Sequence, residues 1–154
     1  MDDPFHRFRL GTLDCTVLSD GRYEYPAGVF FDNADPVEVG AALVSHGIGE
    51  TITTPYACLL VETGTRRVLI DTGGAGWSPT VGRLAGSLSS AGIAPSDIDL
   101  VVLTHGHPDH IGGTVGDDGR PVFDRAVHVM APAEWAFWTS KDTLATVPER
   151  FRQI

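Results

Sequence analysis

Four side chains able to hold a metal ion fall within one six-residue run: His105, His107, Asp109 and His110. They sit in Leu103-Thr104-His105-Gly106-His107-Pro108-Asp109-His110-Ile111-Gly112-Gly113. Imidazole nitrogen and carboxylate oxygen are preferred ligands of zinc and similar divalent ions. Half of the six histidines in the chain are gathered here. An ordinary polar turn explains one or two such residues, but not four at spacings i, i+2, i+4 and i+5. Pro108 biases His107 towards extended backbone. Gly112 and Gly113 let the chain turn sharply or pass close to a bulky site.

Such a loop needs a rigid anchor. Leu100-Val101-Val102-Leu103, just before it, is a short apolar run with a β-branched centre and reads as a buried strand. Residues 56–63 read as another strand, Gly64-Thr65 as a turn, and Arg67-Val68-Leu69-Ile70-Asp71 as the hairpin partner. Thr72-Gly73-Gly74-Ala75-Gly76 reads as a flexible loop. Residues 79–91 read as a helix with Val81, Leu84, Leu88 and Ala91 on one stripe, stopped by Gly92. Pro95-Ser96-Asp97 makes a short turn ahead of the strand. Residues 126–130 form a further strand, in which alternation turns His128 to solvent. Pro132 then opens a helix over 133–138, where Trp135 and Trp138 read as core packing.

Nearer the start, residues 10–20 read as one or two strands, with Ser19-Asp20-Gly21 as a turn. Residues 23–33 are aromatic and rich in turn formers, and read as a loop. Asp35-Pro36 caps a short helix that Gly47 ends. The order β-β-α-β, loop, β-α predicts a mixed α/β or α+β sheet.

Length and composition bound the rest. At 154 residues the prior is one domain with a real core. Hydrophobic residues at 42% and charged residues at 20% exclude a disordered chain and a charge-rich coiled coil. Twenty acidic against eleven basic residues give a net charge of −9, which argues against nucleic acid and an anionic membrane surface as partners. Cys15 and Cys58 each lie in an apolar strand-like run and read as buried free thiols. The start, MDDPFHRFRL, has no basic n-region and no long apolar h-region, so it does not read as a signal peptide. No run is long and apolar enough to span a bilayer. The expectation is a soluble, cytoplasmic protein. No P-loop, G-x-S-x-G or C-x-x-C motif occurs, and Gly74-Ala75-Gly76 lacks the rest of a dinucleotide fingerprint.

The H-x-H-x-D-H spacing resembles the signature of the metallo-β-lactamase-fold hydrolases. Val101-Val102-Leu103-Thr104 before the motif and Gly112-Gly113 after it are similar to that family's strand and turn. Val68-Leu69-Ile70-Asp71-Thr72-Gly73 resembles its upstream strand and Asp-Thr-Gly element. The resemblance runs through residues 56–113, and more loosely through 126–138. It implies an α+β fold, an αββα sandwich of two similar halves. It implies that His105 and His107 bind a first metal, and that Asp109 and His110 bind a second. Asp109 is then the candidate catalytic residue, and Asp71 supports a ligand histidine by a hydrogen bond; the plainer reading of Asp71 is a strand-end cap. The implied cofactor is zinc, two ions in a complete site, with iron or manganese possible. The implied reaction is attack of metal-activated water on an ester, lactone or related bond of a small-molecule substrate.

In that family the second half supplies further ligands, and only His128 follows the motif here. Residues 148–154 show no closing element, so the chain reads as an N-terminal half, truncated at the C-terminus. A metal-binding fragment without catalysis of its own, and a non-haem iron oxygenase of the same superfamily, are the competing readings. A missing second sheet would leave an apolar face open, so a homo-oligomer is possible. Leu18-Ser19-Asp20-Gly21, the aromatic loop and Thr53-Thr54-Pro55-Tyr56 resemble the lactonase and organophosphate-hydrolase-like branch. Tyr25, Phe30 and Phe31 either wall an apolar substrate or pack on the core. The acidic balance argues against the nuclease branch.

Overall fold

A computed structural model describes residues 3–152. Six strands form one sheet in sequence order: β1 Phe5–Leu10, β2 Leu13–Pro26, β3 Thr51–Glu62, β4 Arg67–Ile70, β5 Leu100–Leu103 and β6 Val127–Met130. The first four pair antiparallel, whereas β4–β5 and β5–β6 are parallel. The parallel pairs require crossovers, and a helix supplies the first one. Six short α-helices lie among the described residues: α1 Pro36–Ser45, α2 Leu84–Ser90, α3 Pro108–Ile111, α4 Pro132–Trp138, α5 Lys141–Thr146 and α6 Glu149–Arg152.

Local chemistry explains the boundaries. Asp35 caps α1, its Oδ1 accepting from the N–H groups of Val37 at 2.8 Å and Glu38 at 3.3 Å. Past the ends of α1 and α2, Gly47 and Gly92 take the left-handed conformation, with φ of 68° and 79°. One row of the sheet, Leu60, Leu69 and Val101, is fully buried. With Leu18 it packs against Leu84 and Leu88 of α2, together with Ile93, Ile98 and Phe123. The opposite row, Val17, Leu59, Ile70, Val102 and Val129, is in register across five strands and stays half-buried or exposed.

Several expectations need correction. Ser19-Asp20-Gly21 is not a turn: β2 runs straight through to Pro26, and its register with β3 shifts between Ser19 and Gly21. The turn of the first hairpin lies instead at Gly11, with φ of 61°. The aromatic segment that follows is partly strand, because Arg22, Tyr23, Glu24, Tyr25 and Pro26 all pair with β3. The helix expected over 79–91 begins only at Leu84, since the preceding residues are held against β2. In β6 the alternation is reversed: Val127 and Val129 face out, while His128 is half-buried with its Nε2 enclosed. Trp135 is 65% exposed and so is not core. Both cysteines are free and buried, as expected. Among the described residues no helix is long and apolar enough to cross a membrane.

Candidate metal centre

The parallel strands β4 and β5 end side by side, and the loops leaving them are stitched together. The N–H of Thr72 donates to the His110 carbonyl at 2.7 Å, and that of Gly113 to the Gly73 carbonyl at 3.2 Å. A Cβ on Gly113 would collide with the Thr72 carbonyl, and one on Gly112 with the Gly74 backbone at 2.8–2.9 Å. Only glycines let the two loops lie this close.

Asp71 is the joint between them. It holds a left-handed φ of 63°, uncommon for a residue with a side chain. Its Oδ1 accepts from the Thr104 N–H at 2.8 Å, and the Thr104 hydroxyl reaches both carboxylate oxygens at 2.9–3.0 Å. Its Oδ2 lies 2.8 Å from His110 Nδ1. A carboxylate in this role only accepts, so Nδ1 of His110 is the donor, and in the neutral ring that leaves the lone pair on Nε2.

The other candidate residues cluster above this joint. His105 Nε2 and His107 Nδ1 stand 3.1 Å apart. His110 Nε2 lies 3.3 Å from Asp109 Oδ2. The rings of His105 and His110 have centroids 3.9 Å apart, so the two pairs adjoin. The donors meet in twos: among the described residues no three or more His, Cys, Asp or Glu side chains converge on a common metal-holding point. Asp109 and His110 are carried by α3, whose first residue is Pro108, and His107 caps that turn with extended backbone. His128 is on β6 and outside this cluster.

Two carboxylates to which the sequence assigned no role of their own organise the surroundings. Asp20, 1% exposed, accepts from the N–H groups of Gly74 at 2.8 Å, Leu84 at 2.9 Å and Gly82 at 3.3 Å. It thereby ties β2 to the glycine-rich loop and to the start of α2. Burial pushes its carboxyl up, against the pull of those backbone donors. The second is Glu134 on α4, whose Oε2 accepts from the Gly106 N–H at 3.1 Å and from Trp138 Nε1 at 2.8 Å. The Gly106 N–H, then the Trp138 donor, hold its carboxyl below the ordinary value. In the sequence Asp20 reads only as part of a turn and of Leu18-Ser19-Asp20-Gly21, whereas Glu134 and Trp138 at i and i+4 share a helix face.

An aromatic cluster flanks the centre. Trp77 packs on Tyr23 at 5.0 Å and Tyr56 at 6.1 Å between centroids, and Tyr25 on Phe30 at 5.4 Å. The hydroxyls of Tyr25 and Tyr56 are 2.5 Å apart. Burial, then the Tyr25 hydroxyl, push the Tyr56 phenol up, and the charge of Asp109 adds to this. Phe31 is exposed.

A model described as the Metallo-beta-lactamase superfamily matches residues 52–139, more than half of the chain. The chain belongs to the metallo-beta-lactamase superfamily. The matched stretch contains β4, β5, the two loops that leave them, β6 and α4. Among curated members, Metallo-beta-lactamase domain-containing protein 1 of Mus musculus is 53% identical over 68 residues, covering 44% of this chain and 25% of that protein. A UPF0173 metal-dependent hydrolase of Methanosphaerula palustris is 45% identical over 78 residues, covering 51% of this chain and 27% of that protein. Among solved structures, the dizinc quorum-quenching lactonase AidC, in complex with a product, superposes with a TM-score of 0.85 at 32% identity. That match covers 99% of this chain and 56% of AidC. The hydrolase AbOPH gives the same TM-score at 25% identity, over 99% of this chain and 57% of that one. The matches thus span about a quarter of these curated relatives and just over half of these solved structures. The metallo-beta-lactamase fold that the motif's resemblance implies is established by these superpositions.

Proposed function

We propose that this chain forms the metal-holding half of a hydrolase acting on an ester, lactone or related bond. In this reading His105 and His107 hold one zinc ion, and Asp109 and His110 hold a second. The observation that carries it is the arrangement of donor atoms in two adjoining pairs, with His110 set by Asp71 to present Nε2. The donor set, imidazole nitrogens and one carboxylate, fits zinc or a similar divalent ion. When bound, such an ion supplies Lewis acidity and brings the pKa of water down to about 7. The likeness to a dizinc lactonase supports both the metal and the bond class.

The chain's own residues have definite parts. Asp71 holds the proton on His110 Nδ1 and fixes the ring. Asp109 contributes the anionic donor and has the catalytic role. Tyr56, Trp77, Tyr25 and Phe30 wall one side, suited to the apolar part of a small substrate. Two protein donors per ion are fewer than the three that a catalytic zinc takes. Full turnover therefore calls on donors outside these residues, from a counterpart to the 44% of AidC that this chain does not cover. Residues 1–154 act as one domain, the N-terminal half of the sandwich. The free buried thiols fit a reducing, cytoplasmic setting.

The test is zinc retention after dialysis by the wild-type chain and by a His105→Ala/His107→Ala double variant. The wild type is expected to retain zinc and the double variant to lose most of it. Equal retention overturns the ligand assignment. A panel of lactones, aryl esters and phosphotriesters, assayed with zinc and with a chelator, tests the bond class, and chelator-insensitive turnover would count against the mechanism.

A further inference from the structure

Gly106 is the single residue between His105 and His107, so the orientation of its peptide sets the direction of both side chains. It is buried, while His107 beside it is exposed. A buried N–H without an acceptor is costly, and no secondary-structure partner serves this one. Its acceptor is Oε2 of Glu134, 3.1 Å away and 28 residues downstream. The same oxygen accepts from the Trp138 indole at 2.8 Å. One turn apart on α4, Glu134 and Trp138 thus lock each other in place. The indole then lies directly on Gly106, where any Cβ would overlap its ring. It also packs edge-on against His107, with centroids 5.5 Å apart. The loop is therefore gripped from one side by Asp71, just past the end of β4, and from the other by Glu134 and Trp138 on α4.

We propose that Glu134 is a positioning residue for the His105–His107 pair, its carboxylate and the Trp138 indole fixing the Gly106 peptide so that the two imidazoles converge before metal arrives. The proposal rests on the reading of these histidines as metal ligands. Glu134 itself touches neither a metal nor a substrate. Its position in the first turn of α4 also complements the helix dipole. That simpler role depends on charge alone, and is separable from the grip on Gly106.

The probe is zinc alone, titrated against a chromophoric chelator with the 154-residue chain and its variants. Glu134→Ala is expected to weaken zinc binding roughly 10–100-fold, the usual cost of losing a partner that orients a ligand. Glu134→Gln keeps one carbonyl oxygen for both donors and is expected to stay within about threefold of wild type. Trp138→Phe keeps an aromatic ring on Gly106 but loses the indole donor, and is expected to fall between them. Amide exchange at Gly106, measured without metal, should accelerate in Glu134→Ala and not in Glu134→Gln. Wild-type zinc affinity in Glu134→Ala overturns the proposal, as does a Glu134→Gln variant no better than Glu134→Ala, which would leave only charge. If Glu134→Ala does not fold, Trp138→Phe decides, and unchanged affinity there is fatal. Equal binding by wild type and the His105→Ala/His107→Ala variant instead defeats the ligand assignment itself. Loss in that double variant with none in Glu134→Ala defeats only the positioning role.

Discussion

Asp71 shows how much one side chain can decide. Its two oxygens serve opposite sides: Oδ1 accepts from the Thr104 backbone and Oδ2 faces His110 Nδ1. An asparagine keeps an oxygen for Thr104 but turns an N–H₂ towards the imidazole. That reverses the ring's tautomer and places a hydrogen on Nε2, where a metal would bind. Asp71→Asn should therefore lose zinc affinity roughly tenfold or more while its metal-free melting temperature moves little. Asp71→Ala should lose both, since an unsatisfied buried donor costs about 1–3 kcal/mol. Zinc titration beside thermal melts separates the two cases. Cys58 makes a second residue-scale prediction. It is 3% exposed, and burial, then the nearby Asp20 and Asp71 charges, push its thiol up. A thiol reagent at neutral pH should leave it unmodified until denaturant is added, and rapid labelling of the native chain would contradict this burial.

At the scale of elements, the loop of residues 72–83 is held by an acid buried in β2. Asp20 takes three backbone N–H groups that no strand or helix partner satisfies, and those groups belong to the glycine-rich loop and the first residue of α2. Asp20→Ala should destabilise the chain by about 3 kcal/mol or more, at roughly 1–3 kcal/mol for each donor left unpaired. Denaturant melts test this, and a loss under about 1 kcal/mol would mean that water replaces the carboxylate. The two loops of the candidate metal centre depend on a similar closeness. Gly113→Ala forces its methyl against the Thr72 carbonyl and should separate the loops, with a cost of about 1–3 kcal/mol.

Across the whole molecule, α2 covers one face of the sheet and nothing equivalent covers the other within the described residues. The row from Val17 to Val129 is apolar across five strands, and Val127 at the β6 edge is 64% exposed. At roughly 25 cal/mol per Å², a few hundred Å² of such surface is worth several kcal/mol on burial. The 154-residue chain by itself should therefore sediment as a species larger than its 16.4 kDa monomer at micromolar concentration. Val127→Asp with Val129→Asp should shift it towards monomer, and a wild-type chain that is monomeric throughout would show that this face tolerates water.

The motif, the strand before it, the hairpin strand that ends at Asp71 and the helix caps were legible in the residues alone. Each rests on local physics: ligand chemistry at short spacing, β-branched runs, the φ of proline and glycine. The parallel pairing of β4, β5 and β6, the path of β2 through its bulge, and the inward turn of His128 were not. Hydrophobic alternation names two faces of a strand but not which face meets the core, so Val127 and Val129 read as inside and lie outside. The same limit hid Asp20 and Glu134. Their partners are 54 and 28 residues distant, and a carboxylate acquires its role only when folding brings an unsatisfied N–H to it. Sequence by itself determined which donor atoms are gathered in the loop. Tertiary structure decided where they point, because orientation is set by backbone donors and carbonyls that have no signature in residue type.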